Sequence, residues 1–268
     1  MAKTVLEKEM GRLRRAENRF IRKQRNKEPS KLDTLLADKI PEKLESTLDA
    51  AFAKAFRLIF SKGSAIIEKS FSVRRLALEF ELDTVQLEET GRRRDMRKFT
   101  RRAAKTGTAH TMVSTVTGIT LGILGAWIPD IIVFLTLLLR NLYTISMRYG
   151  YDFTTDEEKK FMLRVIAAAV QQDDDIIKAD REINQIIRHG LHTDSSSVDE
   201  RIEDAAIALS HALLLMKFLQ NIPVVGVIGG ASDFVYMEKI SDYAVLKYQR
   251  RFLTDQRRKE LASELESV

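Results

Sequence analysis

Apolar residues recur along this chain at steps of three and four, the spacing that lines one face of a helix. In the first segment Leu6, Met10, Leu13 and Phe20 share such a face, and Pro29-Ser30 closes it. Over 31–60, Leu32, Leu35, Leu36, Ile40, Leu44, Leu48, Phe52, Phe56 and Ile59 describe a longer amphipathic helix. Pro41 suits the first turn of its main part. The pattern predicts another helix over 73–89, with Gly91 interrupting before the next segment. Residues 155–158 read as a helix start, a Thr or Asp cap followed by acidic first-turn residues, and Phe161, Leu163, Val165, Ile166 and Val170 continue it. Residues 195–200 read as a loop and helix cap, 205–216 as an apolar helix, and 234–253 as a closing helix on Tyr236, Ile240, Tyr243, Ala244 and Tyr248.

The centre of the chain breaks this amphipathic rhythm. Residues 112–128 carry no charge, Pro129-Asp130 follows, and 131–139 is uncharged again until Arg140. Seventeen helical residues span roughly 25 Å, short of a bilayer core of about 30 Å. The window 121–139 is long enough but holds Asp130 near its middle. A central Asp costs about 3 kcal/mol on insertion, and each Leu, Ile, Val or Phe returns only about 0.3–0.6. Insertion of 112–139 and burial as a core hairpin broken at Pro129 both stay open. Gly118 and Gly122 form GxxxG, with Gly125 three residues on. Such glycines let helix backbones approach closely, in membranes or in soluble bundles. The segment 222–234 repeats the theme: Ile222-Pro223, then Gly226, Gly229 and Gly230, then Asp233.

These elements predict an all-α protein: one compact multi-helix domain over 31–254 with central apolar, Gly-containing helices. A basic amphipathic arm over 1–30 precedes it and a charged tail over 255–268 follows. The 268 residues, 44% apolar and 31% charged, are enough for a real core and exclude global disorder. With no Cys, disulfides, thiolate metal sites, Fe–S clusters and a thiol nucleophile are excluded.

The net charge of +6 is unevenly spread. Residues 1–31 hold eleven basic against four acidic residues, and 92–105 hold eight basic residues and one Asp. The stretch 152–204 holds fourteen acidic and seven basic. The protein is polarised, with two short cationic blocks, the second abutting the apolar centre. A basic flank beside an apolar element is suited to anionic lipid, at about 1 kcal/mol per basic residue near the surface. The candidate lipid contacts are Arg12, Arg15, Arg19 and Arg22 in the first block, and Arg92, Arg93, Arg94, Arg97, Arg101 and Arg102 in the second. Nucleic acid is a weaker expectation, because only Phe99 interleaves with the basic residues. The basic N-terminus lacks the contiguous apolar run of a secretory signal, so a cytoplasmic, peripheral location is expected.

Motifs for chemistry are sparse. There is no Walker A loop and no GxSxG elbow, and 226–230 does not fit GxGxxG. The acidic run 173–175 lacks the spaced ligands and Gly of an EF-hand. His189 and His192, with Asp194 or His211, lack the pattern of a metal site, and Gly190 between them reads as a helix end, so no metal and no cofactor are expected. Asp130 and Asp233 in apolar, Gly-rich surroundings are candidates for capping, pairing or lining a cavity, together with Gly118, Gly122, Gly125, Gly226, Gly229 and Gly230.

The order of these motifs resembles the EcsC family. It runs from Ile40-Pro41-Glu42-Lys43, through Gly118, Gly122 and Gly125 into Ile128-Pro129-Asp130, to Leu139-Arg140 and Tyr149-Gly150-Tyr151-Asp152. It ends in Ile222-Pro223-Val224-Val225-Gly226, Gly229-Gly230, Asp233-Phe234, Ala244 and Arg250-Arg251-Phe252-Leu253. The likeness covers about 31–254, with the basic arm outside it. It implies a mostly helical bacterial protein whose family namesake is encoded beside the subunits of an ABC transporter. It carries over no reaction and no catalytic residues. The expected function is a non-enzymatic role at the cytoplasmic membrane face, in support of ABC-transporter subunits. The alternative is a soluble enzyme or ligand or lipid carrier with its site between 118–130 and 223–233.

Overall fold

Thr4 opens the first helix with a reciprocal cap. Its hydroxyl accepts the Glu7 N–H at 3.1 Å, and the Glu7 carboxylate accepts the Thr4 N–H at 3.0 Å. Helix α1 then runs Val5–Arg25, acidic in its first turn and basic in its last. A computed structural model describes residues 4–26, 42–63, 67, 72–104, 128–220 and 231–266. Among them are nine α-helices and no strand.

Helix α2 spans Glu42–Leu58 and ends in a π turn, Ile59–Gly63. Ser72 caps α3, Val73–Thr90, and Gly91 closes it in the left-handed conformation at φ 55°. Helix α4, Arg93–Ala103, follows at once, burying Met96, Phe99, Thr100 and Ala103 beneath an arginine-rich outer face. Helix α5 is Ile128–Arg148, and Thr155 caps α6, Asp156–Val170. Then come α7, Asp173–His189, and a 3-10 turn at Leu191–Thr193. Ser197 and Glu200 cap each other ahead of α8, Val198–Gln220. Helix α9, Ala231–Glu266, is 36 residues long, about 54 Å.

Helices α5 and α9 organise the body. Helix α9 packs on α1, α5, α6 and α7, while α5 packs on α2 and α3, and α8 covers α2 and α6. Leu135, Leu138, Leu139 and Leu142 of α5 are fully buried, as are Tyr243, Ala244 and Tyr248 of α9. Helix α5 is the one described helix long and apolar enough to cross a membrane: 131–148 has mean hydropathy 1.4, with 61% of that window buried inside the protein. The first half of the expected hairpin, 112–127, lies outside the described residues.

Two boundaries differ from the sequence expectation. The basic arm over 1–30 is, as far as it is described, a packed helix: Leu6 and Leu13 are buried and Phe20 stacks on Tyr243 at 5.1 Å. The tail over 255–268 is described to residue 266 as a continuation of α9. Its Arg258 donates to the Ile187 and Arg188 carbonyls at 3.1 and 2.7 Å, filling acceptors at the end of α7. Each of these charged ends carries enough apolar or hydrogen-bonding complementarity to dock.

The turn after α5 depends on one glycine. Gly150 has φ +81°, and a Cβ there would lie 2.2 Å from the Phe80 ring of α3. Phe80 is itself held edge-on by Phe252 of α9. Gly150→Ala is expected to cost about 2–4 kcal/mol, from the backbone strain and the displaced ring together. Chemical denaturation measures it, and a loss below about 1 kcal/mol would mean that Phe80 moves freely.

Candidate functional site

Among the described residues two kinds of charged site stand out: networks sealed between helices, and a cationic surface left open. The deepest network joins α1, α7 and α9. Lys247 is completely buried, with Nζ 2.8 Å from Glu17 Oε1, 2.6 Å from Asp180 Oδ1 and 2.9 Å from Asn184 Oδ1. Arg250 donates to both Glu17 oxygens, and the Tyr243 hydroxyl donates to Asp180 at 2.9 Å. Two carboxylates face two cations, so the cluster is neutral and well paired, as burial demands. Burial alone would raise the Glu17 carboxyl, but the hydrogen bond and charge of Arg250 and the charge of Lys247 hold it below its ordinary value.

A second network ties α6 to α9. Buried Glu158 accepts the Tyr248 hydroxyl and Arg251 Nη1, the latter at 2.5 Å. The Arg251 guanidinium lies 3.6 Å over the Tyr151 ring. A third surrounds Asp194, which Arg164 holds with two hydrogen bonds at 2.6 and 3.0 Å while Ser196 donates from backbone and hydroxyl. Burial acts to raise the Asp194 carboxyl, but Arg164 and Ser196 outweigh it and set it well below the usual range.

A carboxyl depressed by folding adds stability above its unfolded pKa and loses it as pH falls through the folded one. Glu17 and Asp194 therefore predict a melting temperature that is flat near neutrality and falls below about pH 4. Asp194→Asn is expected to flatten that acid limb. An unchanged acid limb in the variant would contradict the assignment.

His189 and His192 are not gathered with other ligand side chains. Both histidines and His211 are exposed, and Asp194 is committed to Arg164. Among the described residues no group of three His, Cys, Asp or Glu side chains is placed to hold a metal. Asp130 and Asp233 are the third residues of α5 and α9, first-turn positions that favour a carboxylate. The two helices pack on each other, with Asn141 Nδ2 2.6 Å from Ser241 Oγ. Gly118, Gly122, Gly125, Gly226, Gly229 and Gly230 lie outside the described residues.

The open surface is the α3–α4 hairpin with the neighbouring part of α1. The two basic blocks meet at Glu9, which is completely buried and faces Arg93 at 3.0 Å, Arg97 at 3.2 Å and Arg12 at 3.7 Å. Arg102 is likewise held, at 2.6 Å from Asp83. Arg94, Lys98 and Arg101 are exposed, and among the described residues they have no ion-pair partner. With Arg93, Arg97 and Arg102 they line an open groove of about 750 Å³. Arg92 is exposed at the start of the hairpin's second helix, and Arg15, Arg19 and Arg22 are exposed along α1.

Helix α3 in turn presents Leu78, Leu82 and Val85 to solvent at 56, 64 and 52% exposure. Their spacing sets them on the side of α3 opposite Leu76, Phe80 and Leu87, so α3 is apolar on two faces. Among the described residues only one of those faces has a core to bury it. Phe99, the one aromatic among the basic residues of α4, is buried against Phe252 at 4.5 Å and is not available for base stacking.

A family model for the EcsC protein family matches residues 7–253. The chain belongs to the EcsC family. No curated protein and no solved structure matches it. The EcsC match starts within α1, so the basic first helix, which the motif likeness had left out, falls inside the family region. Glu9, Glu17, Asp180, Lys247 and Arg250 all lie within the matched span.

Proposed function

We propose that this EcsC-family chain is a peripheral, non-enzymatic protein of the anionic cytoplasmic membrane face, with the α3–α4 hairpin as its lipid-contacting element. The observation that carries the reading is the pairing of an exposed leucine stripe with an unpaired cationic face on two consecutive helices. Single exposed leucines are ordinary on any surface. A register of three on α3, with arginines and a lysine on α4 that have no ion-pair partner among the described residues, has the composition of an interfacial hairpin, whose apolar positions enter the headgroup boundary while its cations meet anionic lipid. The arginines of α1, joined to α4 through Glu9, extend the same positive surface. Support of ABC-transporter subunits is the partner role that fits such a location.

Flotation with liposomes tests this. The full chain is expected to float with phosphatidylglycerol-containing vesicles, to stay behind with pure phosphatidylcholine, and to be released as salt rises. Leu78→Ser with Leu82→Ser is expected to reduce the salt-resistant part of the binding. Equal flotation with both vesicle types would refute the electrostatic contact. Retention on DNA or RNA without vesicle binding would redirect the basic face to nucleic acid.

A further inference from the structure

Arg148, the last residue of α5, departs from the pairing of the charged networks. Among the described residues its Nη1 is buried with no hydrogen-bond acceptor. Burial draws its pKa below the ordinary value, the Glu79 charge opposes this, and the Arg75 charge adds to it. A guanidinium does not escape by losing its proton, so a buried N–H group of it without an acceptor is costly. Nearby carboxylates exist but are engaged: Glu79 accepts Arg75 at 2.8 Å and Asp83 accepts Arg102 at 2.6 Å.

Arg148 lines a cleft of about 450 Å³ between α3 and α4, with Arg75 and Arg102 on its walls and the rings of Phe80 and Phe99 beside them. Three guanidiniums against two carboxylates leave one net positive charge. Arg102 also lines the groove on the outer face of α4, so the cleft and the cationic face share a wall.

We propose that this cleft binds a single phosphate group, with Arg148 as its principal donor and Arg75 and Arg102 turning to it from the walls. Planar guanidinium forks match the geometry of a phosphate. The phosphate belongs either to a free phosphomonoester or to a lipid headgroup. The site stands whether or not the leucine stripe of α3 meets a membrane.

Calorimetric titration of the full chain with inorganic phosphate, at ionic strength matched with chloride, tests the proposal. Saturable binding is expected, weakened by about tenfold or more in Arg148→Gln. Should that variant not fold, Arg75→Gln with Arg102→Gln is expected to weaken binding in the same direction. Glu79→Gln, which removes a competing acceptor, is expected to tighten it. Vesicles distinguish the sources. A preference for phosphatidic acid over phosphatidylglycerol at equal surface charge, lost in Arg148→Gln, assigns the lipid headgroup. Saturable phosphate binding without that preference assigns a free phosphomonoester. Absence of phosphate binding, or equal binding by wild type and Arg148→Gln, overturns the site. So does a Glu79→Gln variant that loses stability without binding tighter, because Glu79 would then be the counter-ion of Arg148. Intact phosphate binding with no flotation on phosphatidylglycerol vesicles would overturn the membrane reading alone.

Discussion

Lys247→Ala is expected to destabilise the fold by about 3–5 kcal/mol, a large part of the total stability of a domain this size. The lysine is fully buried and its ammonium bonds Glu17, Asp180 and Asn184 at once, so α9 is tied to α1 and α7 through a single nitrogen. Removing it leaves Glu17 with Arg250 only, and Asp180 with the neutral donors Tyr243 and Asn184. One buried negative charge is then uncompensated, which is the costly way to break such a cluster. Urea unfolding reads the loss directly. A Glu17/Lys247 double-mutant cycle should return a coupling well above that of a surface pair. A loss under about 1 kcal/mol would mean that water enters and rescues the carboxylates.

The second large effect is on lipid. Arg94→Gln, Lys98→Gln and Arg101→Gln together remove three exposed, unpaired charges from α4 while keeping good helix formers. At about 1 kcal/mol each near an anionic surface, the triple variant is expected to bind phosphatidylglycerol-containing vesicles about a hundredfold more weakly. Its stability should be unchanged, because none of the three touches Glu9 or Asp83. Arg93, Arg97 and Arg102 make those contacts, so replacing them would mix lost binding with lost packing.

Much of this fold was legible in the helical spacing. The α3 and α6 starts, the Ser197 cap and the Gly91 and Gly190 ends follow from local chemistry, and local chemistry is what a sequence displays. Charge was less transparent. The cationic block of α1 read as a basic amphipathic arm ahead of the domain, yet its Glu9 and Glu17 help to dock it. The pairing of Glu17 with Lys247 spans 230 residues, and no local pattern marks it. The leucine stripe was readable: Leu78, Leu82 and Val85 stand at helical spacing opposite Phe80, and two apolar faces on one helix call for two partners. Arg148 was unreadable, because an arginine after an apolar helix is ordinary until its buried, unbonded Nη1 is seen.

The proposed lipid contact rests on the α3–α4 hairpin. Its most direct test is side-by-side flotation of the wild-type chain and the Arg94→Gln, Lys98→Gln, Arg101→Gln variant on phosphatidylglycerol-containing vesicles. Wild type is expected in the floating fraction and the variant, equally stable, in the residue. Flotation of both proteins alike would contradict the claim.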